Sequence, residues 1–139
     1  MSEETNTQKL QMMGERCIEN NDLTVFDEIW AEDCVDHDPA PGQGQGAAGL
    51  KQFWSDFLTA FPDLSIEVDQ MLATDDHVSM AYRVNGTHDG PFMGVDPTGK
   101  AFEVRGLQMS RHDEDGRIVE RWGSSDVLGI LQQVGAVEL

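Results

Sequence analysis

"GLKQFWSDFLTAFPDLSIEVDQMLA", residues 49–73, changes its hydrophobic period at a single proline. Before Pro62, the residues Leu50, Phe53, Trp54, Phe57, Leu58 and Phe61 fall on one stripe at helical spacing,. Proline lacks an N–H and clashes with the preceding turn, so the helix ends there. From Leu64 the period is two, with Leu64, Ile66 and Val68 alternating with polar residues as in a half-buried strand,.

The same alternation returns in "HVSMAYRVNGTH" (77–88), "AFEVRGLQMSRH" (101–112) and "RIVERW" (117–122). Turn residues at "TDD" (74–76) and "DEDG" (113–116) join neighbouring strands, and "DGPFMGVDPTGK" (89–100) is a Gly/Pro loop,. Upstream, Leu10, Met13, Cys17 and Ile18 predict a helix over 5–20, and Leu23, Phe26, Ile29 and Trp30 a short second one after Asp22,. "CVDHDPAPGQGQG" (34–46) reads as a short extended piece and a loop, and "DVLGILQQVG" (126–135) as a last short helix.

Helices come first and strands follow without repeating βα units, which argues α+β. The expectation is a cone-shaped, curved antiparallel sheet wrapped around three N-terminal helices, with a short C-terminal helix. An apolar pocket between the two layers is the natural place for a small ligand.

The 139 residues suit one domain spanning 1–139,. Apolar runs are short and interrupted by charge, and "MSEETNTQKL" is too polar for a signal peptide, so a cytoplasmic protein that does not engage membranes is expected,. Cys17 and Cys34 have no zinc or redox spacing and read as small buried hydrophobes,. The net charge of −17, from 26 acids against 9 bases, argues against nucleic acid as a partner,. Its spread along the chain fits a uniformly acidic, solvated surface and a salt-loving source, since at molar salt the Debye length falls to about 3 Å.

"FPDLSIEVDQML", "GTHDGPFMGVDPTGKAFEVRG" and "DGRIVERWGSSDVLGILQQVGAV", in this order after three helices, resemble the SnoaL-like polyketide cyclases, also called ester cyclases. These belong to the nuclear transport factor 2-like superfamily with ketosteroid isomerase and scytalone dehydratase. The resemblance covers roughly residues 8–137. It implies a cone with a deep pocket in a homodimer packed through the outer face of the sheet. It also implies ring closure by intramolecular aldol condensation on a small apolar or aromatic carbonyl compound, with an aspartate as acid/base and neither metal nor organic cofactor. That aspartate corresponds to Asp126, and His37, His88 and Gln108 are the further candidates.

Each candidate also has a structural reading. Asp126 precedes an apolar run and suits a helix N-cap, unless Ser124 or Ser125 caps instead; Trp122, Val127 and Leu128 could desolvate its carboxylate,. On a regular strand Glu120 faces the same way as Ile118 and Trp122, towards the pocket; its alternative is a salt bridge to Arg111 or Arg105,. Trp122 is a packing residue or a flat wall for an aromatic ligand. In "VDHDP", Asp36, His37 and Asp38 make a poor chelating set because adjacent strand residues point to opposite faces; His37 alone, facing inward, suits proton transfer. His88 stabilises a turn or touches ligand, and His77 is solvated. Gln108 on the face of Ser110 needs a partner if buried, and a ligand carbonyl is one. Trp54 or Phe57 reaches the pocket wall. Three functions are compatible with this set: a cyclase, a ligand-binding protein without chemistry, and a hydrolase or dehydratase of the limonene epoxide hydrolase type.

Overall fold

A computed structural model describes residues 2–138. Helix α1 (Glu3–Met12) starts at Ser2, whose hydroxyl accepts the N–H of Thr5, and runs on as a π-helical segment, Met13–Glu19. The expected second helix is shorter than its apolar spacing suggested. A 3₁₀ turn (Leu23–Val25) leads into α2 (Phe26–Ile29), and Trp30 already begins strand β1 (Trp30–Asp36). Helix α3 (Gly46–Ala60) ends two residues before Pro62, and β2 (Ser65–Ala73), β3 (His77–Thr87), β4 (Ala101–His112), β5 (Ile118–Ser125) and α4 (Val127–Gln133) follow.

The sheet order is β1-β5-β4-β3-β2. Strands β2 to β5 form an antiparallel meander, and β1 joins the β5 edge in parallel, so the curved sheet is mixed rather than wholly antiparallel. One face carries Val78, Val84, Val104 and Phe102, which pack with Leu10, Phe26, Leu58 and Phe61 of the helical layer in one core. The opposite face is free of the helices and leaves Leu72, Leu107 and Met109 exposed.

Two bulges decide which side chains reach which face. In β2, Val68 pairs with Tyr82 and Gln70 with Ala81, so Asp69 is the extra residue,. In β5, Ile118 pairs with His112 but Glu120 with Arg111, so Val119 is extra and the alternation inverts. Ile118 is fully buried on the helical side, while Glu120 and Trp122 turn to the outer face. The expectation that all three face one way fails at this bulge.

Cys17 and Cys34 are free and buried, and desolvation pushes both thiols up to about 11,. No helix among the described residues is long and apolar enough to cross a membrane.

Candidate active site

The centre of the inner face is not sealed by the helices. Val78, Val84, Val104 and Ser110 are buried, but Met80, Gln108, Arg121, Gly123 and Ser125 keep partial exposure, and so do Phe53, Trp54 and Phe57 on α3. Those three rings pack on each other, stacked or edge-on, at centroid distances of 5.4 to 5.8 Å. An apolar wall therefore belongs to α3 and a polar floor to the sheet.

The floor is built around Arg121. Its Nη1 donates to Asp36 Oδ1 at 2.9 Å and its Nε to Gln108 Oε1 at 3.0 Å. The side chains of Arg121 and Asp36 are only 17% and 7% exposed. Asp36 faces inward because β1 pairs it with Arg121, and it also accepts from Gln43 Nε2 and the N–H of Asp38. Gly123 makes room for this arrangement, since a Cβ there would lie 2.9 Å from Arg121 Nη2. With Oε1 of Gln108 engaged, its Nε2 donors have no partner among the described residues. Gln108 Nε2 and the remaining Arg121 N–H groups together form a donor-only cradle suited to a carbonyl or enolate oxygen.

Other expected site residues lie elsewhere. His37 points outward, the reverse of the inward orientation expected: β1 puts Asp36 inside, so the next side chain falls on the other face. Its ring stacks on Trp122 with centroids 4.8 Å apart. Its Nε2–H donates to Glu120 Oε2 at 2.9 Å, and Glu120 Oε1 accepts from Arg111 Nε at 2.6 Å. These hydrogen bonds, that of His37 first, hold the Glu120 carboxyl below the usual carboxylate range. Glu120, Trp122 and His37 are thus one outer-face cluster outside the inner floor.

Asp126 is the N-cap of α4, its Oδ1 accepting the N–H of Gly129 at 2.8 Å. Its residue is exposed, as are Val127 and Leu128, and Trp122 is on the outer face, so the desolvating neighbours expected for this carboxylate are missing. His88 is fully buried against Phe61, and its Nδ1 accepts the N–H of Thr98, which pins the 89–100 loop. Of the expected set, Gln108 lies on the inner face of the sheet beside Arg121, and Trp54 and Phe57 are half-buried on α3, packed against the core. Arg121 and Asp36 were missed; the signal available was the placement of Asp36 opposite His37 in alternation. No group of three metal-ligating side chains occurs among the described residues.

The family model of the SnoaL-like polyketide cyclases matches residues 8–134. The chain belongs to this family. IdmH of Streptomyces antibioticus, assigned as a polyketide cyclase, is 33% identical over 94% of this chain and 98% of its own, with a TM-score of 0.80. AclR of Streptomyces galilaeus, assigned as a hydroxylase, is 27% identical over 99% and 89%, with a TM-score of 0.83. TsrD of Streptomyces laurentii, at 20% identity over 99% of both chains, shares the fold with a TM-score of 0.87. A search of curated proteins finds no significant match by sequence. Family membership supports a cyclase-type small-molecule enzyme.

Proposed function

We propose that this SnoaL-like protein enolises a small carbonyl compound on the inner face of its sheet, as the first step of an intramolecular ring closure. The observation that carries this reading is the Asp36–Arg121–Gln108 row. A carbonyl oxygen bound by Gln108 Nε2 and Arg121 becomes an enolate when a base removes the adjacent proton, and the same donors hold the new charge. Asp36 is the carboxylate of the inner floor and serves as that base. Arg121 is paired with a carboxylate before the transfer and with an enolate after it, so no charge is left unpaired at either stage. Trp54 and Phe57 supply the apolar wall against which an aromatic substrate lies.

The outer face suits a second copy of the chain. Leu72, Leu107 and Met109 are exposed there beside Ala81 and Trp122, around a shallow depression of about 500 Å³. Arg83, Arg105 and Arg111, three of the nine basic residues, point to this face and offset its acids, so two copies can approach despite the net charge,.

The test is hydrogen–deuterium exchange at the α-carbon of 1-tetralone in D₂O, followed by NMR. The wild type is expected to accelerate exchange, Asp36→Asn and Arg121→Met to lose the acceleration, and Asp126→Asn to keep it. Loss in Asp126→Asn with retention in Asp36→Asn makes Asp126 the base and overturns the assignment to Asp36. No acceleration by the wild type overturns the enolisation reading.

A further inference from the structure

Two residues along the strands from the Gln108 cradle, Tyr82 and Ser125 form a second polar pair on the inner face. Tyr82 pairs with Gly106 and Gly106 with Ser125, so the three stand in one row across β3, β4 and β5. The tyrosine ring lies over the bare Cα of Gly106, where any Cβ would collide with it, and this brings its Oη to 2.6 Å from Ser125 Oγ. Tyr82 is 7% exposed, and Ser125 is half-buried.

Two hydroxyls carry two O–H donors, and the bond between them uses one. Neither makes another hydrogen bond among the described residues. When Tyr82 donates to Ser125, the serine O–H is left over on the more exposed member of the pair. The tyrosine is satisfied by this bond, and the leftover donor sits on the half-buried serine, where a ligand oxygen can replace solvent as its partner,.

We propose that Ser125, oriented by Tyr82, is a specificity-determining residue that binds a second carbonyl oxygen of the substrate. This rests on the enolisation reading for the first oxygen. Two residues along a strand is ~7 Å, and hydrogen bonds of ~2.8 Å from each end fit oxygens ~4–6 Å apart. Carbonyls separated by one or two ring carbons have that spacing. Between the two anchors the Tyr82 ring covers Gly106 and the Arg121 guanidinium lies against Gly123, so the floor there is made of two planar groups on which a flat or nearly flat ring can stack,. The substrate class is therefore a cyclic or ring-closing dicarbonyl, and a monoketone leaves the Ser125 donor unpaired.

Calorimetric titration of the full chain with 2-phenylcyclohexanone and 2-phenylcyclohexane-1,4-dione tests this, because the two ligands differ by one carbonyl. The wild type is expected to bind the dione about tenfold more tightly, the gain from roughly one neutral hydrogen bond. Ser125→Ala is expected to bring the ratio close to one with monoketone affinity unchanged. Tyr82→Phe, which keeps the ring over Gly106, is expected to reduce the ratio as well. Equal binding of both ligands by the wild type, or a Ser125→Ala variant that keeps the preference or weakens both ligands alike, overturns the role of Ser125 and leaves the first-oxygen site standing. If neither ligand binds the wild type, the inner-face site and the Ser125 role fall together.

Discussion

Arg121 and Asp36 meet across the parallel β5–β1 edge with Nη1 and Oδ1 2.9 Å apart, both side chains largely out of water. Removing the cation leaves a carboxylate with little access to solvent, a change that costs about 3 kcal/mol or more in pairs of this kind. Arg121→Met is therefore expected to lower the urea midpoint strongly. Asp36→Asn with Arg121→Met is expected to recover part of that loss, because the stranded charge is gone. Equal stability of Arg121→Met and wild type would show that the pair is solvated and would remove the basis for its role in the site.

Asp126 contributes to stability through its cap. Asp126→Ala is expected to cost about 1 kcal/mol in chemical denaturation, while Asp126→Asn, which keeps a cap acceptor, costs much less,. A Ser125 or Ser124 hydroxyl that takes over the cap would appear as an Asp126→Ala variant of wild-type stability.

The outer face gives a prediction about assembly. Leu107 is 66% exposed in the middle of the sheet, opposite Ala81 and beside Met109. Leu107→Glu inserts a charge into the apolar centre of a face already rimmed by acids. Light scattering after gel filtration is expected to show a dimer for the wild type and a monomer for this variant. A wild-type monomer at micromolar concentration overturns the reading of this face.

How much of this was legible in the sequence depends on the distance over which each feature is specified. The period change at Pro62 is local, and it marked the boundary between helix and sheet correctly. The helix ending at Ile29 was overestimated because Trp30 fits the helical spacing while belonging to a strand that is fixed by pairing with β5. Regular alternation gives Glu120 and Trp122 the wrong face for one reason. Parity along β5 depends on an extra residue at Val119, and a bulge is set by the partner strand,. His37 follows the same pattern: alternation places adjacent residues on opposite faces, but pairing with β5 decides which of Asp36 and His37 faces inward. Gln108 and Ser110 share the inner face as alternation implied. The bond from Arg121 to Gln108, thirteen residues apart on neighbouring strands, has room because Gly123 carries no side chain, and such gaps are visible only once strands are registered.

His112 predicts a pH dependence of stability. It is buried, its Nδ1–H donates to the carbonyl of Gly116, and its Nε2 accepts from Ser110 Oγ, each at 2.8 Å. Burial is the largest cause of a native pKa below 6.5, so the ring is held neutral,. As pH falls, the unfolded chain therefore takes up this proton before the native one does. The contribution is complete above about 6.5 and declines as pH drops from there towards the lowered native value. The loss of stability between pH 7.5 and 5.5 is expected to be smaller in His112→Gln than in the wild type. Equal losses would show that His112 does not govern this window.

The net charge of −17 leads to the last prediction. Acids outnumber bases throughout the chain, and the few arginines are concentrated in pairs such as Arg83 with Glu67 and Asp69, Arg111 with Glu120 and Arg121 with Asp36. The remaining carboxylates repel one another in the folded state more than in the expanded chain. Screening shortens the range of this repulsion from about 10 Å at 0.1 M to about 3 Å at 1 M, while the largely buried Arg121–Asp36 pair is much less affected. The melting temperature is therefore expected to rise steeply with KCl at first and to level off near 1 M. A general exclusion of salt from the surface would instead give a rise that continues with concentration, most strongly in sulfate. A curve that is flat or falls in KCl would show that self-repulsion is not a significant term, and the inference of a salt-loving source would fall with it.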